Sequence, residues 1–286
     1  VSTGAFAQAF PAKPITFVVP FAAGGPTDLV ARRLAEAMRK PLGGANIVVE
    51  NAAGAGGTIA GTKVARATPD GYTLLVWHIG MAATTSLYRK QTFKPLEDFE
   101  YLGIINDVPM TLLGTNKLNA NTYRDFEAYI RANGGKLNLA HAGLGSASHL
   151  CGLMWQSAVK LDKSMTTIAY RGTGPAMNDL IGGQVDIMCD QTTNTTAQIE
   201  GGKVKAYAVT TAKRLTTPAL KDLPTLAAAA SDADSGTAGT ASPVRITSET
   251  WVSSRRPRAP PGWETTKSSG PNPRASSSAT ASEAAS

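Results

Sequence analysis

Short β-branched runs alternate with helix-period patterns along most of this chain. Ile15–Val19 is an apolar run that stops at Pro20 and passes through Ala22-Ala23-Gly24-Gly25. A helix follows, with Pro26 suited to its first position and Val30, Leu34 and Ala37/Met38 on one face. Pro41-Leu42-Gly43-Gly44 ends that helix. The next strand, Ile47–Glu50, runs into Asn51–Thr58, a glycine-rich loop, and a small-residue helix to about Ala67. Pro69-Asp70-Gly71 turns into a strand over Tyr72–Trp77, after which His78-Ile79-Gly80 opens a loop.

Two apolar runs, Tyr101–Ile105 and Met110–Gly114, are separated by Asn106-Asp107-Val108-Pro109, and a new series follows. It comprises a helix near Tyr123–Asn133, a strand Leu137–His141, a loop Ala142–Ser148 and a helix His149–Lys160. A strand Thr166–Tyr170, a loop Arg171–Gly174, a helix Pro175–Ile181 and strands Val185–Asp190 and Lys205–Thr210 complete it. Alternation of this kind predicts an α/β protein, a parallel sheet flanked by helices with its ligand crevice beyond the carboxyl ends of the strands. Two such units imply two lobes, with a crossing or hinge at residues 103–110.

Composition changes the picture at one place. Among 286 residues, 42% are apolar, enough for sizeable cores, but from Ala227 onward the large aliphatics are Val244, Ile246 and Val252, joined by Trp251 and Trp263. That segment reads as a low-complexity tail unable to offset its ordering entropy. The net charge of +7 is spread without the dense basic block of a nucleic-acid surface, and no run is long enough for a membrane span. Ala5-Phe6-Ala7-Gln8 has the form of a secretory cleavage site without a preceding basic and apolar region, as in a signal-peptide remnant. Cys151 and Cys189 fix no framework: they read as buried thiols or, in an oxidising compartment, as a pair.

The candidate chemistry is anion binding. Glycine turns that start helices present backbone N–H groups at the positive end of a helix dipole, where a carboxylate or phosphate is held. A dinucleotide site fits poorly: after Gly54-x-Gly56 the next required glycine falls on Ile59, and the strand to Trp77 ends in His78 where an acidic residue is expected. Ser146, His149 and Asp190 have the residue types of a hydrolase triad, yet the G-x-S-x-G elbow is absent. His78, His141 and His149 lack metal-ligand spacing. Asp190 reads either as a ligand contact or as a strand-end carboxylate satisfied by backbone N–H groups. No catalytic residue, metal or cofactor is expected.

An ordered series of landmarks resembles the Bug/TctC periplasmic solute receptors of tripartite tricarboxylate transporters. They are Pro20-Phe21-Ala22-Ala23-Gly24-Gly25 with Asp28, Val49-Glu50-Asn51 before Gly54-Ala55-Gly56-Gly57, and Pro69-Asp70-Gly71-Tyr72-Thr73-Leu74. Gly145-Ser146-x-Ser148-His149-Leu150, Tyr170-Arg171-Gly172, Gly182-Gly183-Gln184-Val185-Asp186 and Leu223-Pro224-Thr225 continue the series. The resemblance implies a two-lobed periplasmic-binding-protein-like α/β fold with the ligand cleft between the lobes. It implies an exported, periplasmic, monomeric, non-enzymatic receptor that captures a small organic acid and delivers it to membrane permease subunits, without nucleic acid or membrane insertion. A small-molecule hydrolase or transferase using the same cleft is the alternative. Carried over by position, the expected ligand contacts are Phe21, Gly24, Gly25, Gly57, Thr58, His78, Ile79, Ser146, Ser148, His149, Arg171 and Asp190. Asp28, at the third helical position, is expected to brace the first loop.

The expected organisation is a signal-peptide remnant and arm over residues 1–13, lobe 1 over 14–105, lobe 2 over 106–215, a return segment over 216–226 and the tail over 227–286. Family members continue past Leu-Pro-Thr to complete the first lobe. A shifted reading frame, or else a natural disordered tail, would leave lobe 1 incomplete, with apolar surface and a sheet edge exposed.

Overall fold

The computed structural model describes residues 10–161, 164–233 and 247–257. In the first half, β1 (Ile15–Val19), α1 (Pro26–Arg39), β2 (Ile47–Asn51), a 3-10 turn (Ala55–Gly57), α2 (Thr58–Arg66) and β3 (Thr73–His78) follow the expected order. Gly25 is the N-cap of α1 and Pro26 takes its first turn. After His78 comes a helix rather than a loop, α3 (Gly80–Leu87), which buries Met81 and Thr84. Its small and polar residues give the sequence no helical stripe to read.

β4 (Phe99–Gly114) is one long strand where two segments are expected. Register shifts at Tyr101/Gly103 and Ile104/Asn106 fall before the polar insert, and Asn106–Pro109 then pairs in unbroken register with Thr247–Thr250. Pro109, which donates no backbone hydrogen bond, lies at the last register position paired with the strand Thr247–Arg255, just before pairing with the strand Ile187–Gln191 begins at Met110.

The second half contains α4 (Tyr123–Asn133), β5 (Asn138–His141), α5 (Ala147–Ala158), β6 (Thr166–Ala169) and α6 (Thr173–Gly182). β7 (Ile187–Gln191), α7 (Thr192–Glu200), β8 (Lys205–Val209), α8 (Leu226–Ala233) and β9 (Thr247–Arg255) complete the described elements. α4 starts with a capping box: Thr122 Oγ1 accepts from Asp125 N–H and Asp125 accepts from Thr122 N–H, each at 3.1 Å. The described strands run β2-β1-β3-β9-β4-β7-β5-β6, with β8 also on β4. β4 is therefore shared. Its first part pairs with β9 in the lobe 1 half-sheet, and its last residues pair with β7 and β8 in the lobe 2 half-sheet.

β9 corrects one expectation. It lies within the segment read as tail, yet it inserts antiparallel between β3 and β4 and buries Ser248, Thr250, Val252 and Ser253. Thr, Trp and Val suit a pleated surface, and two preformed neighbours supply a hydrogen-bond ladder on each side, so tertiary context outweighs the poor apolar content. The β3 edge is covered. α8 also enters that segment, with Ala228 N–H donating to Thr225 Oγ1 at 3.1 Å. The rest of the expected tail, residues 234–246 and 258–286, and the expected signal remnant, residues 1–9, lie outside the described residues.

Helices cover both faces of each half-sheet. Phe17, Val19, Ala31 and Val76 pack on one side of the first and Leu75, Trp77, Phe93 and Phe99 on the other. In the second, Phe126 stacks on Tyr207 with ring centroids 3.9 Å apart and on Trp155 at 5.6 Å. Cys151 of α5 and Cys189 of β7 are both buried and joined as a disulfide across a sequence separation of 38, which settles the choice between thiols and a pair.

Candidate ligand site between the lobes

The strand carboxyl ends of both half-sheets face one another across a small cavity. Phe21, Pro26, Thr27 and His78 line it from lobe 1; Ala142, Ala147, Ser148, Thr173, Asp190 and Gln191 line it from lobe 2. Its volume is about 10 Å³, close to the space of one water. Among the described residues, four helix starts meet here. Pro26 and Thr27 open α1, Ala147 and Ser148 open α5, Thr173 opens α6, and Gln191 caps α7. The first N–H groups of a helix have no intrahelical partner and carry the positive end of its dipole. No lysine or arginine is among the lining residues. The anion-binding groups of the site are thus backbone N–H groups rather than cationic side chains.

The first loop is held by Asp28, which is 2% exposed. Its Oδ2 accepts from Gly24 N–H and Arg32 Nε, and its Oδ1 from Asn51 Nδ2, each at 2.9 Å. Asn51 Nδ2 also donates to Phe21 O at 2.9 Å, tying the loop to the end of β2. Burial pushes the Asp28 carboxyl up, but the hydrogen bonds from Arg32, Gly24 and Asn51 outweigh it and hold the pKa below the ordinary value.

His78 ends β3 and stacks on Phe21 with centroids 4.8 Å apart. Its Nδ1 accepts from Gly80 N–H at 3.0 Å, which assigns the ring hydrogen to Nε2 and leaves a donor on that side. Burial lowers its pKa to about 4, so the ring is neutral at physiological pH. In lobe 2, Ser146 caps α5 by accepting from His149 N–H at 3.3 Å, and Ala142 N–H donates to Ser148 Oγ at 2.9 Å. His149 Nδ1 accepts from Gly145 N–H at 3.2 Å and the ring packs on His141 at 4.4 Å. These bonds engage Ser146 and His149 with the backbone of their own loop rather than with each other's side chains.

Asp190 is 1% exposed. Burial raises its carboxyl to about 6, opposed by hydrogen bonds from Asn194, the Gln191 backbone and Thr173. Asn194 Nδ2 donates to Oδ2 at 2.6 Å. Thr173 Oγ1 makes no well-formed hydrogen bond, although it stands near enough to Asp190 to steady the charge.

Of the residues expected from the sequence, Phe21, His78, Ser148 and Asp190 line the cavity. Gly25 abuts lobe 2, where an added Cβ would lie 3.6 Å from Gly174 N, while Gly24 N–H is engaged by Asp28. Gly57 packs against Trp77, and the Thr58 hydroxyl donates to Ala55 O at 2.9 Å. Ile79 is largely exposed and lines a separate apolar pocket. Arg171 lines an adjoining groove of about 570 Å³ with Gly56, Tyr88 and Leu144. Thr27, Thr173 and Gln191 are cavity residues the sequence reading does not single out. Thr173 lies inside a loop that it does, and Gln191 is one residue past Asp190.

At one seam the lobes meet on backbone carbonyls of lobe 2. Ala22 N–H donates to Arg171 O at 2.8 Å and Tyr88 Oη donates to Leu144 O at 2.9 Å. Gly56 is wedged at this seam with φ +60°, and a Cβ there would overlap Leu144 O and Tyr88 Oη. Gly56→Ala is expected to hold the lobes apart and weaken binding of any ligand enclosed between them about tenfold, by depopulating the closed form. Calorimetric titration checks this, and unchanged affinity would show that closure at this seam does not matter.

Two helix-flanked half-sheets joined through β4, with a cavity lined by helix starts between them, define the two-lobed solute-binding-protein class. The chain belongs to the tripartite tricarboxylate transporter family receptors, TctC, whose family profile matches residues 30–246. A relative from Agrobacterium vitis, the UPF0065 protein in the TAR-I ttuE-ttuC' intergenic region, is 47% identical over 219 residues, 77% of this chain. The chain spans 62% of that relative's length. The periplasmic binding protein BugD is 48% identical with a TM-score of 0.77, covering 86% of this chain and 78% of its own. MatC from Rhodopseudomonas palustris, solved with bound malate, is 39% identical with a TM-score of 0.76, covering 86% and 79%.

Proposed function

We propose that this chain is an extracytoplasmic receptor that captures a small dicarboxylate between its lobes and presents it to the permease of a tripartite tricarboxylate-type transporter. The observation that carries this reading is the convergence of helix starts from both lobes on one cavity lined by no lysine or arginine. Such a site binds a carboxylate through N–H groups and closes over it, capture without chemistry. Family membership and the malate held by MatC support the ligand class. The disulfide supports export to an oxidising compartment. Because the cavity is only about 10 Å³, the lobes must stand further apart around an acid of malate's size.

A thermal-shift panel of mono-, di- and tricarboxylates on the full chain tests the reading. Dicarboxylates are expected to raise the melting temperature, because ligand bound only to the folded state adds stability by mass action. The absence of a shift with every carboxylate would contradict it.

A further inference from the structure

One wall of the cavity has the opposite polarity from the helix starts. Asp190 is buried and accepts from Asn194. Gln191, 2% exposed, donates through Nε2 to Ser248 Oγ at 2.6 Å, and its Oε1 has no partner among the described residues. Thr173, 4% exposed, brings a hydroxyl without a well-formed bond to the same wall. All three side chains line the cavity, and the His78 ring that shares it is uncharged at physiological pH. A carboxylate and an amide oxygen facing an anionic ligand repel its oxygens and leave themselves unsatisfied, unless the ligand offers a hydrogen.

We propose that Asp190, Gln191 and Thr173 form a specificity wall that selects acids bearing a hydrogen-bond donor beside a carboxylate, a hydroxyl or an ammonium, over unsubstituted acids. This rests on the carboxylate reading of the site above and deepens it. One end of the ligand is gripped by the helix N-termini, as any carboxylate would be. The donor substituent turns toward Asp190 and completes its hydrogen bonding. Succinate, which has the two carboxylates and no donor, sets its oxygens against the Asp190 carboxylate, which keeps its Asn194 bond, and against Gln191 Oε1, which gains none. At neutral pH the Asp190 carboxyl, raised to about 6 by burial, is ionised and can only accept. A site built around such an acceptor discriminates strongly against the analogue lacking the donor.

Calorimetric titrations of the full chain with malate, aspartate and succinate at pH 7.5 test this. The wild type is expected to bind malate or aspartate about 20-fold more tightly than succinate, the range of one hydrogen bond to a charged group. Preference for malate assigns the donor as a hydroxyl, and preference for aspartate assigns an ammonium. Asp190→Asn is expected to narrow the ratio to about threefold, by weakening the substituted acid and improving succinate. Thr173→Val, which keeps the buried charge and its Asn194 bond, is expected to narrow it partway, so the test survives poor folding of the first variant. Equal wild-type affinities for the three acids, or an undiminished ratio in both variants, would overturn the specificity wall while leaving carboxylate capture standing. Binding of longer acids with none of these three would do the same. No binding of any carboxylate would remove both.

Discussion

Replacing Cys151 and Cys189 together by alanine is expected to lower stability by about 3 kcal/mol, because the bridge closes a long loop in the unfolded chain. The bridge spans 38 residues and ties α5 to β7. Those two elements also bring Ser148 and Asp190 to the cavity, one at a helix start and the other near a strand end. The loss has two readouts. The melting temperature is expected to fall by about 8 °C, the scale for a chain of this size, and a reductant is expected to do to the wild type what the substitutions do. Affinity is expected to fall less than stability, since sheet pairing holds β7 against β4 and β5 without the bridge. A double variant as stable as the wild type would show that the bridge constrains nothing that packing does not already hold.

Asp28→Ala is the second large effect, and it acts on both stability and binding. The substitution leaves Gly24 N–H and Asn51 Nδ2 without their carboxylate and frees Arg32 from its ion pair. Arg32 is half exposed and resolvates, Gly24 is exposed, and Asn51 Nδ2 keeps Phe21 O, so the cost is that of the lost charge-assisted bonds, about 1.5 kcal/mol. The Gly24–Gly25 turn then loosens, and ligand affinity falls although Asp28 is not among the residues lining the cavity. The pH dependence gives a sign to check. The folded-state pKa of Asp28 lies below the ordinary aspartate value of 3.8, so its contribution is present above that value and is lost as pH falls through the folded pKa. The stability gap between wild type and variant is therefore expected to shrink on acidification below about pH 4. Unchanged melting temperature and unchanged affinity would rule out the brace.

The first loop was the most legible part of the chain, for a physical reason. Pro20, Gly24, Gly25 and Pro26 each forbid or demand a particular backbone state, so strand end, turn and helix start are fixed locally. The elements that escaped reading lack such local constraint. α3 and α7 are rich in Ala and Thr, with no apolar stripe, and are helical because neighbours bury Met81, Thr84 and Thr195. β9 has few large apolar residues, and its stability comes from β3 and β4, more than 130 positions away in sequence. The continuity of β4 through Asn106-Asp107-Val108-Pro109 is likewise set by its partners.

The site divides in the same way. That cavity residues lie at or beyond strand ends follows from topology alone: Phe21 follows β1, His78 ends β3, Asp190 stands one residue before the end of β7, and Ser148 lies in the first turn of α5. Which residue of a loop turns inward does not follow from spacing. Thr173 and Gln191 reach the cavity because α6 and α7 begin at those residues with particular side-chain directions, and Gly57 faces Trp77 because the 3-10 turn before α2 rotates it there.

The central claim is that a carboxylate is gripped by helix N-termini between the lobes. It is tested most directly by the crystal structure of the chain with the dicarboxylate that stabilises it most. The account predicts the acid enclosed between Phe21 and Asp190, with carboxylate oxygens within hydrogen-bond distance of backbone N–H groups at the starts of α1, α5 or α6. An acid seated outside the lobes, or one whose carboxylates are held by Arg171 or by lysine side chains, would contradict it.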